Sequence, residues 1–108
     1  MALVKLISVT TLTGNTIYLM VKQISTGYYL DDADGSFGAS PADPYVSMTE
    51  DSIMKGRYAL SESRTTWSDG IYDAVAYKQV GGSPAPVSDT IVASGGIQIA
   101  SDVIIDPT

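Results

Sequence analysis

The sequence predicts an all-β protein, an antiparallel sandwich or barrel of about seven to eight strands. Ten Gly and five Pro are spread along the 108 residues, and no apolar pattern with the period of a helix runs between them. The intervening segments are rich in Val, Ile, Tyr and Thr, which favour strands. Their spacing of roughly 8–14 residues, with no helical segment between them, is typical of antiparallel sandwiches rather than of parallel sheets.

Five strands are predicted in the first part of the chain. They are residues 3–11, 16–24, 28–30, 45–49 and 54–61. The first is mostly apolar and ends before the turn-forming Thr13-Gly14-Asn15. The second is apolar on both faces, as expected of a central strand. Gly56 lies in the fifth strand and predicts a bulge or a close approach of another backbone segment.

Three short or medium strands are predicted in the second part, residues 71–80, 90–93 and 96–100, and a last extended piece, residues 102–106, follows them. Before the first of them, Trp67 is expected to add bulk at the end of the core. Asp69, Gly70 and Tyr72 match a tyrosine corner, in which a Tyr at the start of a strand bonds back to upstream backbone. The alternative is a Tyr that simply packs within its strand.

The longest stretch without a predicted strand is residues 31–44, in which Asp, Gly, Pro and Ser dominate. No repeat or linker interrupts the chain, so residues 1–108 are interpreted as a single domain with this one long loop. Loops of such length often carry function, and aromatic and acidic side chains make this one a candidate contact loop. Its members are Tyr28, Tyr29, Asp31, Asp32, Asp34 and Phe37. The alternative is that Tyr29 and Phe37 fold inward and cap the sandwich.

Composition excludes several classes of function. The absence of Cys and His excludes disulfides, Cys/His zinc sites, imidazole bases and thiolate nucleophiles. The net charge of −6 argues against a nucleic-acid partner, because such binding depends on Lys and Arg that neutralise phosphates. No apolar run approaches the ~18 residues of a membrane-spanning helix, so no membrane partner is expected. No paired catalytic motif is present, and we expect no enzyme activity.

The acidic residues of the loop do not have the spacing of an EF-hand calcium site. Counted from Asp32, Gly35 falls at position 4 and Asp43 at position 12, whereas an EF-hand needs Gly at position 6 and Glu at position 12. The EF-hand pattern therefore fails. The sequence favours an acidic turn in solvent, with a carboxylate cation site of another kind as the alternative, and we expect no cofactor and no metal.

The segment TTWSDGIYDAVAYKQVGGSPAPVSDTIVASGGI, residues 65–97, resembles small β-sandwich domains of tailed-bacteriophage virion proteins. The shared pattern is an aromatic residue and a turn, then Gly-x-Tyr-Asp, Tyr-Lys-Gln, Gly-Gly and a Ser-Pro-Ala-Pro stretch. Weaker similarity covers residues 13–23 and 45–61. The chain departs from the pattern after its Gly-rich segment, where Gln98-Ile99-Ala100 replaces an aromatic-Asp-Gly turn. The resemblance implies an immunoglobulin-like β-sandwich with a structural role in the virion.

The two ends of the chain carry further apolar segments, residues 1–7 and 103–105. An apolar edge strand in a small domain needs to be paired or covered. We therefore expect one or both end strands to be held by a neighbouring subunit, by strand addition or in a ring.

Two function hypotheses follow. The first is a non-enzymatic virion structural protein, an adaptor or decoration module on the capsid surface or in the tail, neck or baseplate. Its partners would be other virion proteins or copies of itself, and it would be made in the bacterial host cytoplasm and end in the virion. The alternative is a carbohydrate-binding module at a phage tail tip or bacterial surface, in which Tyr28, Tyr29 or Phe37 binds a host surface glycan.

Overall fold

The structure is a computed structural model that describes residue 3 and residues 5–105. These residues form ten strands and no helix. The strands are β1 (Lys5–Thr10), β2 (Ile17–Gln23), β3 (Tyr29–Leu30), β4 (Phe37–Gly38), β5 (Val46–Ser47), β6 (Thr49–Glu50), β7 (Arg57–Glu62), β8 (Gly70–Lys78), β9 (Thr90–Ala100) and β10 (Val103–Ile105). The described residues contain no helix that is long and apolar enough to cross a membrane.

The strands form two antiparallel sheets. The small sheet has the order β1-β7-β6, and the large sheet has the order β10-β9-β8-β2-β3-β4, with β5 also paired to β2. The prediction of an all-β, antiparallel fold is thus confirmed, and the two sheets pack over one core as in a sandwich. The first and last strands, β1 and β10, lie at edges of different sheets.

The structure has more strands than the seven or eight expected, for two physical reasons. The predicted strand 45–49 is divided into β5 and β6, which pair in different sheets, so the chain crosses the sandwich at Met48. The predicted loop 31–44 contains β4, which forms a hairpin with β3. In the opposite direction, the predicted strands 90–93 and 96–100 are one strand, β9. Of the predicted end strands, residues 1, 2, 4 and 106 lie outside the described residues.

The core is rich in aromatic side chains at one end. Trp67, Tyr58 and Tyr72 are the largest of its fully buried residues. Phe37 packs edge-to-face on Trp67, with ring centroids 5.2 Å apart, and lies 5.3 Å from the ring of Tyr72. The expectation that Trp67 adds bulk to the core is confirmed, since it is 1% exposed.

The second strand, β2, is covered on both faces, as its apolar pattern predicts. Ile17, Leu19 and Val21 belong to the core between the sheets. Tyr18 faces the other way and is buried by Tyr77, whose ring stacks on it at 5.2 Å, and by the edge of Tyr45 at 5.6 Å.

The predicted close approach at Gly56 is also confirmed. Gly56 has φ of +87° and lies in the turn before β7. A Cβ at this position would lie 2.5 Å from the carbonyl oxygen of Thr11, and the Thr11 N–H donates to the Gly56 carbonyl at 2.8 Å. The turn therefore needs a residue with no side chain and a left-handed backbone.

Candidate functional site

The acidic residues of the candidate contact loop form the turn between β3 and β4. The Asp31 Oδ1 atom accepts a hydrogen bond from the Ala33 N–H at 2.9 Å. The Asp34 Oδ1 atom accepts from both the N–H and the hydroxyl of Ser36, at 3.0 and 2.7 Å, and these bonds lower the pKa of Asp34. Both carboxylates therefore act as local turn acceptors.

The remaining acid of the loop, Asp32, fixes the turn to the chain segment that follows β7. The Arg64 guanidinium donates to the Asp32 carboxylate at 3.2 Å and also to its carbonyl oxygen. Beside it, the Thr65 hydroxyl donates to the Gly35 carbonyl at 2.6 Å. Within residues 3 and 5–105, no three acidic side chains are placed to hold a metal ion.

The three aromatic residues of the candidate loop do not share a surface. Tyr28 is 41% exposed. Tyr29 is half-buried, with the Lys22 ammonium 5.7 Å from its ring centroid. Phe37 turns inward onto Trp67, as the capping alternative describes. The structure thus leaves Tyr28 as the aromatic side chain of this loop that is most open to a ligand.

The residues of the predicted tyrosine corner come together at the start of β8. The fully buried Tyr72 donates its hydroxyl to the Ser68 carbonyl at 2.7 Å, which is the bond of a tyrosine corner. Burial raises the pKa of Tyr72. Gly70 has φ of +143°, and the Asp69 carboxylate accepts from the Ser101 N–H at 2.9 Å. Asp69 thereby connects the corner to the turn between β9 and β10.

The apolar N-terminal segment, for which the sequence predicts a partner strand, forms the edge strand β1, and one edge of β1 is open for hydrogen bonding. The Thr11 N–H points at Gly56, on the β7 side. In an antiparallel pair, the peptide groups of successive residues point alternately towards and away from the partner strand. The peptide groups of Leu6, Ser8 and Thr10 therefore point away from β7. Among the described residues no backbone or side-chain group bonds to them. β1 therefore has three outward peptide groups available to another strand.

A cleft of about 350 Å³ lies between this edge and the large sheet. Its lining includes the larger apolar residues Ile7, Val9 and Ile104 and several small residues. The small residues are Ala74, Ala76, Ala93 and Gly95. On the far side, β10 pairs only with residues 98–100 of β9. Along residues 90–97, β9 therefore pairs with β8 on one edge and has no neighbouring strand on its other edge within the described chain. The cleft thus runs between two unpaired strand edges.

The lining of the cleft shows what it can do chemically. None of its side chains is titratable, so it offers no general acid, general base or charged nucleophile. It offers apolar surface and backbone hydrogen-bonding groups, which together suit contact with an extended peptide.

A second unexpected feature is a group of buried charges near Trp67. Lys5, Glu62 and Asp102 are the buried charged residues of the described chain. The Lys5 ammonium lies 2.7 Å from Asp102 Oδ1 and 5.5 Å from the Trp67 ring centroid. Burial raises the pKa of Asp102, but hydrogen bonds from Lys5 and from backbone N–H groups have the larger opposite effect and lower the pKa to about 2.

Glu62 is the partner of Lys5 in the β1–β7 register. Burial raises its pKa, but hydrogen bonds from the side chain and backbone N–H of Arg64 and the charges of Arg64 and Lys5 lower it overall. One feature of the sequence indicates this group of buried charges. Lys5 lies in phase with Ile7 and Val9 and so on the inner face of an apolar strand, where lysine is rare unless paired.

Comparison of the chain with protein-family models, with curated proteins and with solved structures found no match.

Proposed function

We propose that this protein is a non-enzymatic structural protein of a tailed-bacteriophage virion, an adaptor or decoration module that acts through protein–protein contacts. The observation that carries the proposal is the open β1 edge beside an apolar cleft. Outward peptide groups at Leu6, Ser8 and Thr10 supply main-chain hydrogen bonds, and the cleft supplies space for the side chains of the added strand.

The chemistry of the cleft defines the segment that fits it. A cavity of about 150 Å³ holds a benzene ring, so about 350 Å³ holds about two large apolar side chains. In a strand, side chains on one face come from alternate residues. The partner segment is therefore extended, with large apolar residues at alternate positions. The net charge of −6 favours a segment without acidic residues.

A segment of another virion protein fits this edge better than a second copy of the chain. The large sheet continues past β1 as β9 and β10, whose residues form the far side of the cleft. Symmetric pairing of two β1 strands would place the β9–β10 edges of both copies in the same layer beside the new pair, whereas a single extended strand brings only its own side chains to the cleft.

The resemblance of residues 65–97 to phage virion sandwich domains supports the virion as the place of assembly. The test is to purify particles of the phage or prophage that encodes the chain on a density gradient and to search them by mass spectrometry. We expect the protein in the particle fraction at a fixed ratio to the major capsid protein. Its presence only in the soluble lysate fraction would contradict the proposal.

A carbohydrate-binding module remains the alternative, and the exposure of Tyr28 is the observation in its favour. A glycan array with the Tyr28→Ala/Tyr29→Ala double variant as control separates the two functions. Binding to defined glycans that is lost in the variant would support the alternative, and no binding would support the contact protein.

A further inference from the structure

The buried Lys5–Asp102 pair has the geometry of two groups held for a reaction. The ammonium nitrogen lies 2.7 Å from Asp102 Oδ1, and the two side chains are 0% and 7% exposed. The Trp67 ring, itself buried, lies beside the nitrogen. Water, which would solvate the charges and favour separation, is thus excluded from the pair.

The backbone around Asp102 is held in a conformation that its sequence does not favour. Ser101 and Asp102 form the two-residue turn between β9 and β10, with φ of +53° and +62°. Two consecutive positive values indicate a type I′ turn, which prefers Asn-Gly. Such backbone strain persists where surrounding contacts over-determine it, and it is often found at functional sites. Here the contacts are those that hold the Asp102 carboxylate against Lys5.

The carboxylate is also polarised by backbone donors. The Trp67 N–H donates to Asp102 Oδ1 at 2.7 Å, and the Leu3 N–H donates to Oδ2 at 2.6 Å. Donors placed in this way would stabilise negative charge on a carboxyl oxygen when a nucleophile adds to Cγ. The nucleophile in contact is the Lys5 nitrogen.

We propose that Lys5 and Asp102 join in an intramolecular amide bond between Nζ and Cγ. The ammonium first gives one proton to the carboxylate along their hydrogen bond, which leaves a neutral amine and a neutral carboxyl group. The amine adds to Cγ, one proton moves from nitrogen to the departing oxygen, and the C–O bond breaks with release of one water. The ion pair contains every atom of the amide and the water, so no further reactant is needed.

Burial disfavours the charged forms of both groups and so opposes the hydrogen bonds that lower the pKa of Asp102. The fixed contact replaces a bimolecular encounter, and well-oriented intramolecular reactions reach effective molarities of about 10⁵–10⁸ M. Besides Asp102, the buried carboxylate of the described residues is that of Glu62, which lies opposite Lys5 in the β1–β7 ladder. We assign it the role of carrying the proton from the nitrogen to the leaving oxygen.

The bond would join the first strand of the small sheet to the turn before the last strand of the large sheet. These are the strands next to the open cleft. A covalent link between them would resist separation of the two sheets when a partner pulls on either edge.

The test is the intact mass of the folded protein. We expect it to fall short of the mass of the expressed chain by one water, with a digest that yields a branched peptide joining Lys5 to Asp102. Lys5→Met and Asp102→Ala should each have the full mass. Lys22→Met is the matched control, because Lys22 lies opposite Asp73 in the β2–β8 register without an ion pair. It should keep the loss of water.

The full mass in the folded wild-type protein would overturn the proposal, as would a loss of water that persists in Lys5→Met and so arises elsewhere. Glu62→Gln tests the proton carrier separately. We expect it to contain a mixture of joined and open chains, with the joined fraction growing slowly over time. Complete joining at the wild-type rate would exclude this role for Glu62. Circular dichroism of each variant checks that its strand signal is retained.

Discussion

The hydroxyl of Tyr72 donates a hydrogen bond of 2.7 Å to the carbonyl oxygen of Ser68, four residues upstream. The bond fixes the chain where it enters β8, the strand that pairs with both β2 and β9. The Gln23 side-chain amide donates to the same hydroxyl at 3.3 Å, so the corner also touches β2. One side chain thus joins the entry of a central strand to its neighbour.

Replacement of Tyr72 by Phe should lower the free energy of unfolding by about 1 kcal/mol or more, because the Ser68 carbonyl loses its donor in a partly buried place. Urea denaturation measures the change. Tyr77→Phe is the control, since the Tyr77 hydroxyl makes no hydrogen bond within the described chain and its ring would still stack on Tyr18. Equal stability losses in the two variants would show that the corner bond contributes nothing specific.

Replacement of Gly56 by Ala should destabilise the protein by about 1–3 kcal/mol, because it combines a left-handed backbone with a clash at the Thr11 carbonyl. Gly81→Ala provides the comparison, since a Cβ there meets no atom within 4 Å. Thermal unfolding of the two variants should give a clearly lower midpoint for Gly56→Ala alone. Similar midpoints would mean that the turn before β7 adapts without strain.

Arg64→Gln should cost about 2 kcal/mol or more, because it leaves the buried Glu62 carboxylate without its cation. Arg57→Gln is the matched change at a pair whose carboxylate is not buried, since Asp51 is 34% exposed and 3.8 Å away, and it should cost less than about 1 kcal/mol. Chemical denaturation of both variants tests the contrast. A larger loss for Arg57→Gln would contradict the interpretation of Glu62 as a buried charge that depends on Arg64.

Asp89 makes part of the stability depend on pH. A hydrogen bond from the Tyr18 hydroxyl, followed by bonds from the Ala85 and Val80 N–H groups, lowers its pKa in the folded protein. A group with a lowered folded pKa stabilises above its unfolded value of about 3.9 and loses this contribution as the pH falls.

The stability difference between wild type and Asp89→Asn should therefore be largest near neutral pH and shrink towards about pH 3. Urea midpoints across this range measure it. Asp73→Asn is the control, because the Asp73 side chain accepts no hydrogen bond within the described residues and its replacement removes no such bond. A difference for Asp89→Asn that stays constant with pH would contradict the assignment.

The sequence predicted the parts of the fold that depend on local pattern. The alternation in β2 and β8, the close approach at Gly56 and the core position of Trp67 all follow from residue type and spacing. The division of residues 45–49 between two sheets does not, because which sheet a two-residue strand joins depends on pairing with distant segments. The predicted number of strands was therefore lower than the ten that the structure contains among its described residues.

Less of the candidate site than of the fold could be predicted from the sequence. The apolar N-terminal segment indicated an edge strand in need of a partner, but the cleft between β1, β9 and β10 depends on how the two sheets pack, which no local pattern encodes. The Lys5–Asp102 contact joins residues 97 positions apart in sequence. The composition of the candidate loop predicted a contact surface, yet Asp31 and Asp34 accept hydrogen bonds within its own turn and Phe37 packs on Trp67 in the core. Composition indicates which residues are polar but not which groups they bond.

The central claim, that the cleft beside β1 receives a strand of another virion protein, is tested by filling the cleft. Gly95 pairs with the inward-facing Ala74 in the β8–β9 ladder, so a side chain at Gly95 points into the cleft. Gly96 also lines the cleft through its backbone, but it pairs with Asp73 on the outer face, so a side chain at Gly96 points away from the cleft and provides the matched control. Neither position has a left-handed backbone, and a Cβ at either meets no close atom.

The most direct measurement is the amount of protein incorporated into purified particles when Gly95→Leu or Gly96→Leu replaces the wild-type chain. Both variants should fold, as judged by strand signal and urea midpoint. We expect Gly96→Leu to be incorporated at the wild-type ratio to the major capsid protein, and Gly95→Leu to be reduced at least tenfold. Equal incorporation of the two variants would contradict the proposed use of the cleft.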